Sequence, residues 1–178
     1  KAPQQLAALR VLAAIGPNFS HFLGVPRTDN LFNRKRQLMC LEELYAAGVA
    51  PIPHLNAAMP GDWHFWKQYL HDNPKLCVVA IEFQTGNKNR EQGRKALDHL
   101  ARVQHDIGRS VHPVVIGGAQ FIEYVAERFD KFTLMDSAPF MKAVKCRVFE
   151  PKNGRHSWRE SYRLERQPID DLVLRNIE

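Results

Sequence analysis

The stretch VHPVVIGGAQFIEYVAERFDKFTLMDSAPF, residues 111–140, decides the fold. Residues 111–116 are mostly apolar and end at Gly117-Gly118, a pattern typical of a buried parallel strand. A second apolar run leads directly to Asp136. Between the two runs, apolar residues recur at helical spacing and give one apolar face; they are Phe121, Ile122, Val125 and Phe129. The stretch therefore predicts a strand, a helix and a second strand with a carboxylate at its carboxyl end.

The same alternation of strand and helix extends toward the N-terminus. Three further apolar runs predict strands at residues 11–15, 49–55 and 76–83. Amphipathic segments predict helices over residues 31–47, over 87–107, and from an N-cap at Asp62 onward. Pro51 and Pro53 are unfavourable inside a central strand, because proline cannot donate to a neighbouring strand.

Five strand and helix units in succession predict an α/β fold: alternating β/α units with a parallel sheet and right-handed crossovers. The sheet is either open and doubly wound, or it is most of a (β/α)8 TIM-type barrel whose other strands lie elsewhere. The chain begins at Lys1 rather than at a methionine, which favours a processed or partial chain. We expect residues 1–150 to form the partial barrel domain and residues 151–178 to form an Arg-rich C-terminal appendage that packs late or contacts a polyanion.

Composition limits the class of protein and of partner. A chain of 178 residues with 44% hydrophobic content can bury a substantial core. Its 25 basic and 19 acidic residues give a net charge of +6, which favours an anionic partner, nucleic acid before membrane. The apolar runs are too short to cross a bilayer. Cys40, Cys77 and Cys146 are widely spaced, which predicts a reducing, cytoplasmic location without a disulfide framework.

Polar residues and glycines follow the predicted strands at the points where the strands end. They are Asn18, His54, Asn56, Glu82, Gln84, Gly117, Gly118 and Asp136. The carboxyl ends of parallel strands share one edge, so we expect these residues to lie on one rim. Together they offer hydrogen-bonding groups for a polar heterocycle, glycines for a close backbone approach, and a carboxylate that can attack or take a proton.

Each of these residues also has a simpler structural explanation. Asp136 precedes Ser137 and Pro139, an order that is typical of a helix start, so it can be a cap. His54 can be a satisfied structural histidine, and Glu82 can pair with an arginine. The basic run at residues 33–36, NRKR, predicts either a solvated helix face or a phosphate contact.

Three segments carry a resemblance to a known family. Residues 117–149, GGAQFIEYVAERFDKFTLMDSAPFMKAVKCRVF, resemble the late part of the tRNA-guanine transglycosylases, in which a strand ends in an aspartate. Residues 53–57, PHLNA, and 80–86, AIEFQTG, resemble the family's base-reading and Gly-rich base-binding segments. The similarity is greatest to the branch of the superfamily that modifies DNA with deazapurines.

The resemblance implies a (β/α)8 barrel that exchanges guanine in nucleic acid, DNA in preference to tRNA, for a 7-deazaguanine base without a cofactor. Asp136 stands at the position of the nucleophile, and the other strand-end residues named above would bind the base. The backbone of the nucleic acid would contact basic residues, namely Lys142, Lys145, Arg147 and Arg155. Other protein subunits are candidate partners. Only Cys146 and His156 stand where the tRNA enzymes carry a zinc cluster, so no metal is expected.

Two other classes of function remain open. The chain can be a non-catalytic nucleic-acid-binding subunit that keeps the barrel scaffold. It can also be a small-molecule enzyme of the phosphate-binding barrel type, in which Gly117-Gly118 would receive a phosphate.

Overall fold

A computed structural model describes residues 2–84, 89–152, 155–161 and 168–177, without the side chains of residues 151–152 and 155–156. The chain divides into two compact units, Lys1–Leu134 and Met135–Glu178. The mixed α/β class with parallel strand pairing is confirmed. Within the described ranges, no helix has the length and apolar character needed to cross a membrane.

The first unit alternates strands and helices. In chain order its elements are α1 (Ala2–Ala8), β1 (Ala13–Ile15), α2 (Arg27–Ala46), β2 (Ala50–Ile52), α3 (Pro60–Asp72), β3 (Val78–Glu82), α4 (Arg90–Asp106), β4 (His112–Ile116), a 3-10 turn (Ala119–Phe121) and α5 (Ile122–Ala126). Strand β5 (Thr133–Met135) crosses the boundary between the units and lies next to β4.

Neighbouring strands follow the order of the chain. Strands β1 and β2 pair in parallel, and so do β3 and β4. An isolated parallel bridge between His54 and Ala80 joins the two sheets, because the Ala80 amide donates to the Pro53 carbonyl and the Leu55 amide donates to the Ala80 carbonyl, both at 2.8 Å. The strand predicted over residues 49–55 is therefore present in spite of its prolines, although regular pairing stops at Ile52. The described strands do not close into a barrel.

The core lies between the sheet and the helices that cover one of its faces. Alternate residues of β3 and of the position that follows it, Val79, Ile81 and Phe83, are buried against α3 and α4, where Trp66 and Leu97 are fully enclosed. The side chains between them, at positions 78, 80 and 82, point to the opposite face. Helix packing therefore fixes the direction in which the last residue of β3 projects.

Asp62 contributes to the cap of α3 as predicted, but from the third helical position and not as the N-cap residue, which is Met59. The helix begins at Pro60, and the carboxylate of Asp62, in the first turn, accepts the amides of Met59 and Ala58 at 2.9 Å each. The same carboxylate pairs with Arg34, so this residue of the basic run on α2 is buried rather than solvated. The prediction of a solvated face was thus wrong for Arg34.

The second unit is a small α/β assembly with its own core. Its elements are α6 (Ala138–Val144), the antiparallel strands β6 (Arg147–Lys152) and β7 (Arg155–Glu160), and α7 (Ile169–Arg175). Asn176 joins them, since its side chain donates to the Pro139 and Arg147 carbonyls and accepts the Phe149 amide. The division of the chain at residue 134 precedes the expected boundary at residue 150, which falls inside β6.

Asp62→Ala is expected to lower the free energy of unfolding by on the order of 3–5 kcal/mol, because Arg34 would be left buried without its counter-ion. Asp72→Ala, which removes an exposed carboxylate from the same helix, should change the free energy of unfolding far less. Urea denaturation followed by circular dichroism measures both. Equal losses for the two variants would contradict the account of Asp62.

Candidate functional site

Two of the predicted rim residues meet at the carboxyl ends of the strands. The Asn18 side-chain amide, from the loop after β1, donates a hydrogen bond to Oε2 of Glu82, the last residue of β3. Strand β2 lies between β1 and β3, so this contact spans the end of β2. Asn18 is exposed and Glu82 is half-buried. A carboxylate and a carboxamide are therefore held side by side at the predicted edge.

Gln84 and Gly117 form a second contact at the same edge. Gly117 has a φ of +67°, a left-handed conformation that favours glycine, and a Cβ added there would overlap the Gln84 side chain. A Cβ on Gly118 would approach the Phe83 ring to 2.9 Å. Both glycines are thus explained by packing within the protein. The side chain of Gln84 occupies the space next to the backbone of Gly117.

His54 and Asn56 are engaged in the structure of the rim. His54 is only 3% exposed, and Nε2 of its ring finds no partner among the described residues. The Nδ2 atom of Asn56 donates to the Phe19 carbonyl at 3.1 Å, which holds the loop after β1. His54 is therefore enclosed in this conformation, and Asn56 uses part of its hydrogen-bonding capacity on the loop.

Asp136 follows β5 and lies in the second unit. Its side chain is exposed, and Oδ1 accepts the Ala138 amide at 2.8 Å, at the first residue of α6. Asp136 precedes Ser137, the N-cap residue of α6, and contributes to the start of the helix through this hydrogen bond. Since that bond occupies one carboxylate oxygen, the second oxygen is left for other chemistry.

The basic residues assigned to nucleic acid differ in their surroundings. Lys142 lies over the Trp158 ring, with Nζ 5.6 Å from the ring centroid, and Lys145 is exposed. Arg147 is half-buried at the start of β6. The side chain of Arg155 lies outside the described residues.

A buried ionic cluster, which was not predicted from the sequence, is centred on Asp62. Asp62 is fully buried and pairs with Arg34 and with Arg27, whose Nη2 is 2.6 Å from Oδ1. Burial alone would raise the pKa of Asp62, but hydrogen bonds from Arg27, from the two backbone amides and from Arg34 outweigh it and hold that pKa well below its usual range. The carboxylate thus remains charged inside the protein.

His21 completes this cluster. Its Nδ1 lies 3.8 Å from the Asp62 carboxylate, and its side chain is 1% exposed. Burial is the main cause that lowers the pKa of His21, and the neighbouring arginines lower it further, against the opposing effect of Asp62. The loop after β1 therefore places a buried imidazole next to the ionic cluster, without a hydrogen bond between them among the described residues.

The described side chains contain no group of three or more His, Cys, Asp or Glu residues arranged to hold a metal ion. Compared with protein-family models, with curated proteins and with solved structures, the chain matches none.

His54 is expected to make stability depend on pH. Burial lowers its pKa to about 4, below the value near 6.5 in the unfolded chain, so its contribution is complete above pH 6.5 and is lost as the pH falls toward 4. The loss attributable to His54 should approach about 3 kcal/mol. His54→Leu should flatten this part of the profile measured by urea denaturation, and His64→Leu, at an exposed position of α3, should not. Identical profiles for wild type and His54→Leu would contradict the assignment.

Proposed function

We propose that the chain binds a guanine-type base of a nucleic acid at the rim and exchanges it for a 7-deazaguanine. The observation that supports this most is the hydrogen bond between Asn18 and Glu82, which places a carboxylate and a carboxamide together where the strands end. Enzymes that act on a base usually extrude it from the stack and read its edge by hydrogen bonds.

The chemistry of the rim suits the edge of guanine. Guanine presents two adjacent N–H donors and one carbonyl acceptor, whereas a carboxylate only accepts hydrogen bonds and an amide nitrogen donates them. Glu82 would accept from the two donors, and the amide nitrogens of Asn18 and Gln84 would donate to the carbonyl. A 7-deazaguanine keeps this edge, so the same groups can hold the departing and the incoming base.

The order of the strands supports the barrel that this reaction implies. A doubly wound sheet reverses its strand order at a switch point, whereas the strands of a (β/α)8 barrel are neighbours in chain order. Here β1 to β5 are neighbours in chain order. We therefore propose that these strands are part of a (β/α)8 barrel, with its remaining strands elsewhere.

In the proposed reaction, a carboxylate oxygen of Asp136 attacks the anomeric carbon of the sugar. The bond from that carbon to the base breaks, and the base leaves with the bonding electrons and takes up a proton. The incoming deazapurine loses a proton as its nitrogen attacks the same carbon, and the carboxylate of Asp136 is released. Lys142, Lys145 and Arg147 would pair with phosphates during this exchange.

One observation favours a second candidate, a non-catalytic nucleic-acid-binding subunit. The hydrogen bond from the Ala138 amide to Asp136 gives this carboxylate a structural role at the start of α6. Such a role would be sufficient to explain the residue. The phosphate-binding enzyme is less favoured, because Gln84 already lies against Gly117.

Two substitutions at Asp136 separate the candidates. Asp136→Asn keeps an oxygen that can accept the Ala138 amide but cannot act as the nucleophile, whereas Asp136→Ala removes both functions. Wild-type protein incubated with guanine-containing single-stranded DNA or with tRNA should give a covalent adduct on a denaturing gel. The adduct and the base exchange should be lost in both variants, and thermal stability should fall only in Asp136→Ala.

Asp130→Asn, at an exposed position six residues earlier, serves as the matched control and should retain the adduct. An adduct that persists in Asp136→Asn would exclude this residue as the nucleophile. Nucleic-acid binding without an adduct in any of these proteins would favour the non-catalytic subunit.

A further inference from the structure

We infer that the loop after β1 and the adjoining face of α2 form a binding surface for single-stranded nucleic acid. This surface, which we call the Phe–Arg surface, consists of Phe19, Phe22, Phe32, Lys35 and Arg36. The inference rests on the proposed function. The surface would hold the nucleotides that flank the target base, while the base itself is bound beside Asn18.

A basic side chain lies against two aromatic rings on this surface. The guanidinium carbon of Arg36 lies 4.2 Å from the centroid of the Phe19 ring and 5.7 Å from that of Phe32. Phe32 is 62% exposed and Phe22 is 57% exposed. Bases stack on exposed aromatic rings without regard to sequence, and each such contact contributes about 1–3 kcal/mol.

The guanidinium of Arg36 packs against aromatic rings and is not paired with a carboxylate among the described residues. No carboxylate or carbonyl among the described residues accepts a hydrogen bond from it, so its donors face solvent while its plane packs against the two rings. A guanidinium that packs against aromatic rings and has no carboxylate partner can bind a phosphate through its free N–H donors. Lys35, the adjacent residue, is also exposed.

Asparagine side chains of α2 bind the backbone of the loop after β1. Asn30, which is 2% exposed, accepts the Phe22 amide at 3.0 Å and donates to the Phe22 carbonyl at 2.8 Å. Asn33 donates to the Ser20 carbonyl at 3.0 Å. Exposed apolar rings are thus kept in position by buried polar groups, an arrangement that favours a binding surface over a collapsed loop.

Charge favours nucleic acid over a protein partner as the occupant. Residues 18–39 contain four basic residues and one acidic residue, Asp29. Of the four, Arg27 and Arg34 are paired with Asp62, and Lys35 and Arg36 remain on the surface. The exposed charges of this segment are then Lys35 and Arg36 against Asp29, a positive balance. The combination of exposed rings with this balance matches the bases and phosphates of a single strand.

The test is fluorescence anisotropy with a labelled 12-nucleotide single-stranded DNA that contains guanine. Phe32→Ala and Arg36→Ala should each weaken binding about tenfold. Arg36→Ala should also reduce the salt dependence of binding by the share of one phosphate, whereas Phe32→Ala should leave it unchanged. Arg36→Lys, which keeps the charge but not the planar group, should retain the salt dependence and lose part of the affinity.

Matched controls lie elsewhere on the first unit. Tyr45→Ala removes an aromatic ring that is 76% exposed at the other end of α2, and Arg102→Ala removes an exposed charge from α4. Both should bind within about twofold of wild type. The surface is excluded if Phe32→Ala and Arg36→Ala bind no more weakly than these controls, if wild type does not bind the oligonucleotide, or if the Phe32 substitution instead dissociates a dimer.

The base-exchange assay, run on the same variants, separates this inference from the proposed function. Exchange by wild type together with unaltered binding by the Phe32 and Arg36 variants would overturn the surface and leave the exchange standing. Binding with the expected dependence on Phe32 and Arg36, but without release of guanine, would support the surface and contradict the exchange.

Discussion

The buried carboxylate of Asp62 is the interaction on which the first unit depends most. It accepts two backbone amides at the start of α3 and pairs with two arginines of α2. Placing a charge in the interior is unfavourable unless it is paired and hydrogen-bonded, and here both conditions are met. Because Arg27 and Arg34 lie a little under two turns apart, the carboxylate fixes both the position and the rotation of the first half of α2.

The geometry of the rim follows from that arrangement. With α2 fixed, Asn30 and Asn33 can bind the backbone of the loop after β1, and Asn56 binds it from the segment after β2. The loop then carries Asn18 across the end of β2 to Glu82 and presents Phe22 on the outside. Asn18 of the rim and two members of the Phe–Arg surface, Phe19 and Phe22, therefore belong to one loop that is held by amide groups.

Much of the fold was predictable because its signals are local. Each of these signals lies within a short segment: the apolar runs at residues 76–83 and 111–116, and the helical spacing of apolar residues over 87–107. The structure confirms the corresponding elements β3, β4 and α4. Glu82 was likewise predictable as a strand-end residue that faces the rim. The sequence predicted that Glu82 and Asn18, 64 residues earlier, lie on the same rim, but it did not predict the hydrogen bond between them.

The rest depends on contacts between distant residues. Arg34 belongs to a basic run that reads as solvated, and only its meeting with Asp62, 28 residues later, buries it. Gly117 and Gly118 read equally well as a ligand-binding turn or as packing positions, and Gln84 and Phe83 decide for packing. The partner of His54 in the sheet is also distant, since its bridge joins it to Ala80, 26 residues later.

The proposed function requires that Glu82 and Asn18 form a base-binding edge. The most direct measurement is a titration of the ¹⁵N-labelled protein with guanine, followed by NMR. We expect the side-chain amide of Asn18 and the backbone amide of Gly117 to shift in a saturable manner, and Glu82→Gln to weaken binding by about tenfold or more, because one of the two acceptor oxygens is replaced by a donor. If the rim residues do not shift, or if they shift equally in Glu82→Gln, base binding by Glu82 and Asn18 is contradicted.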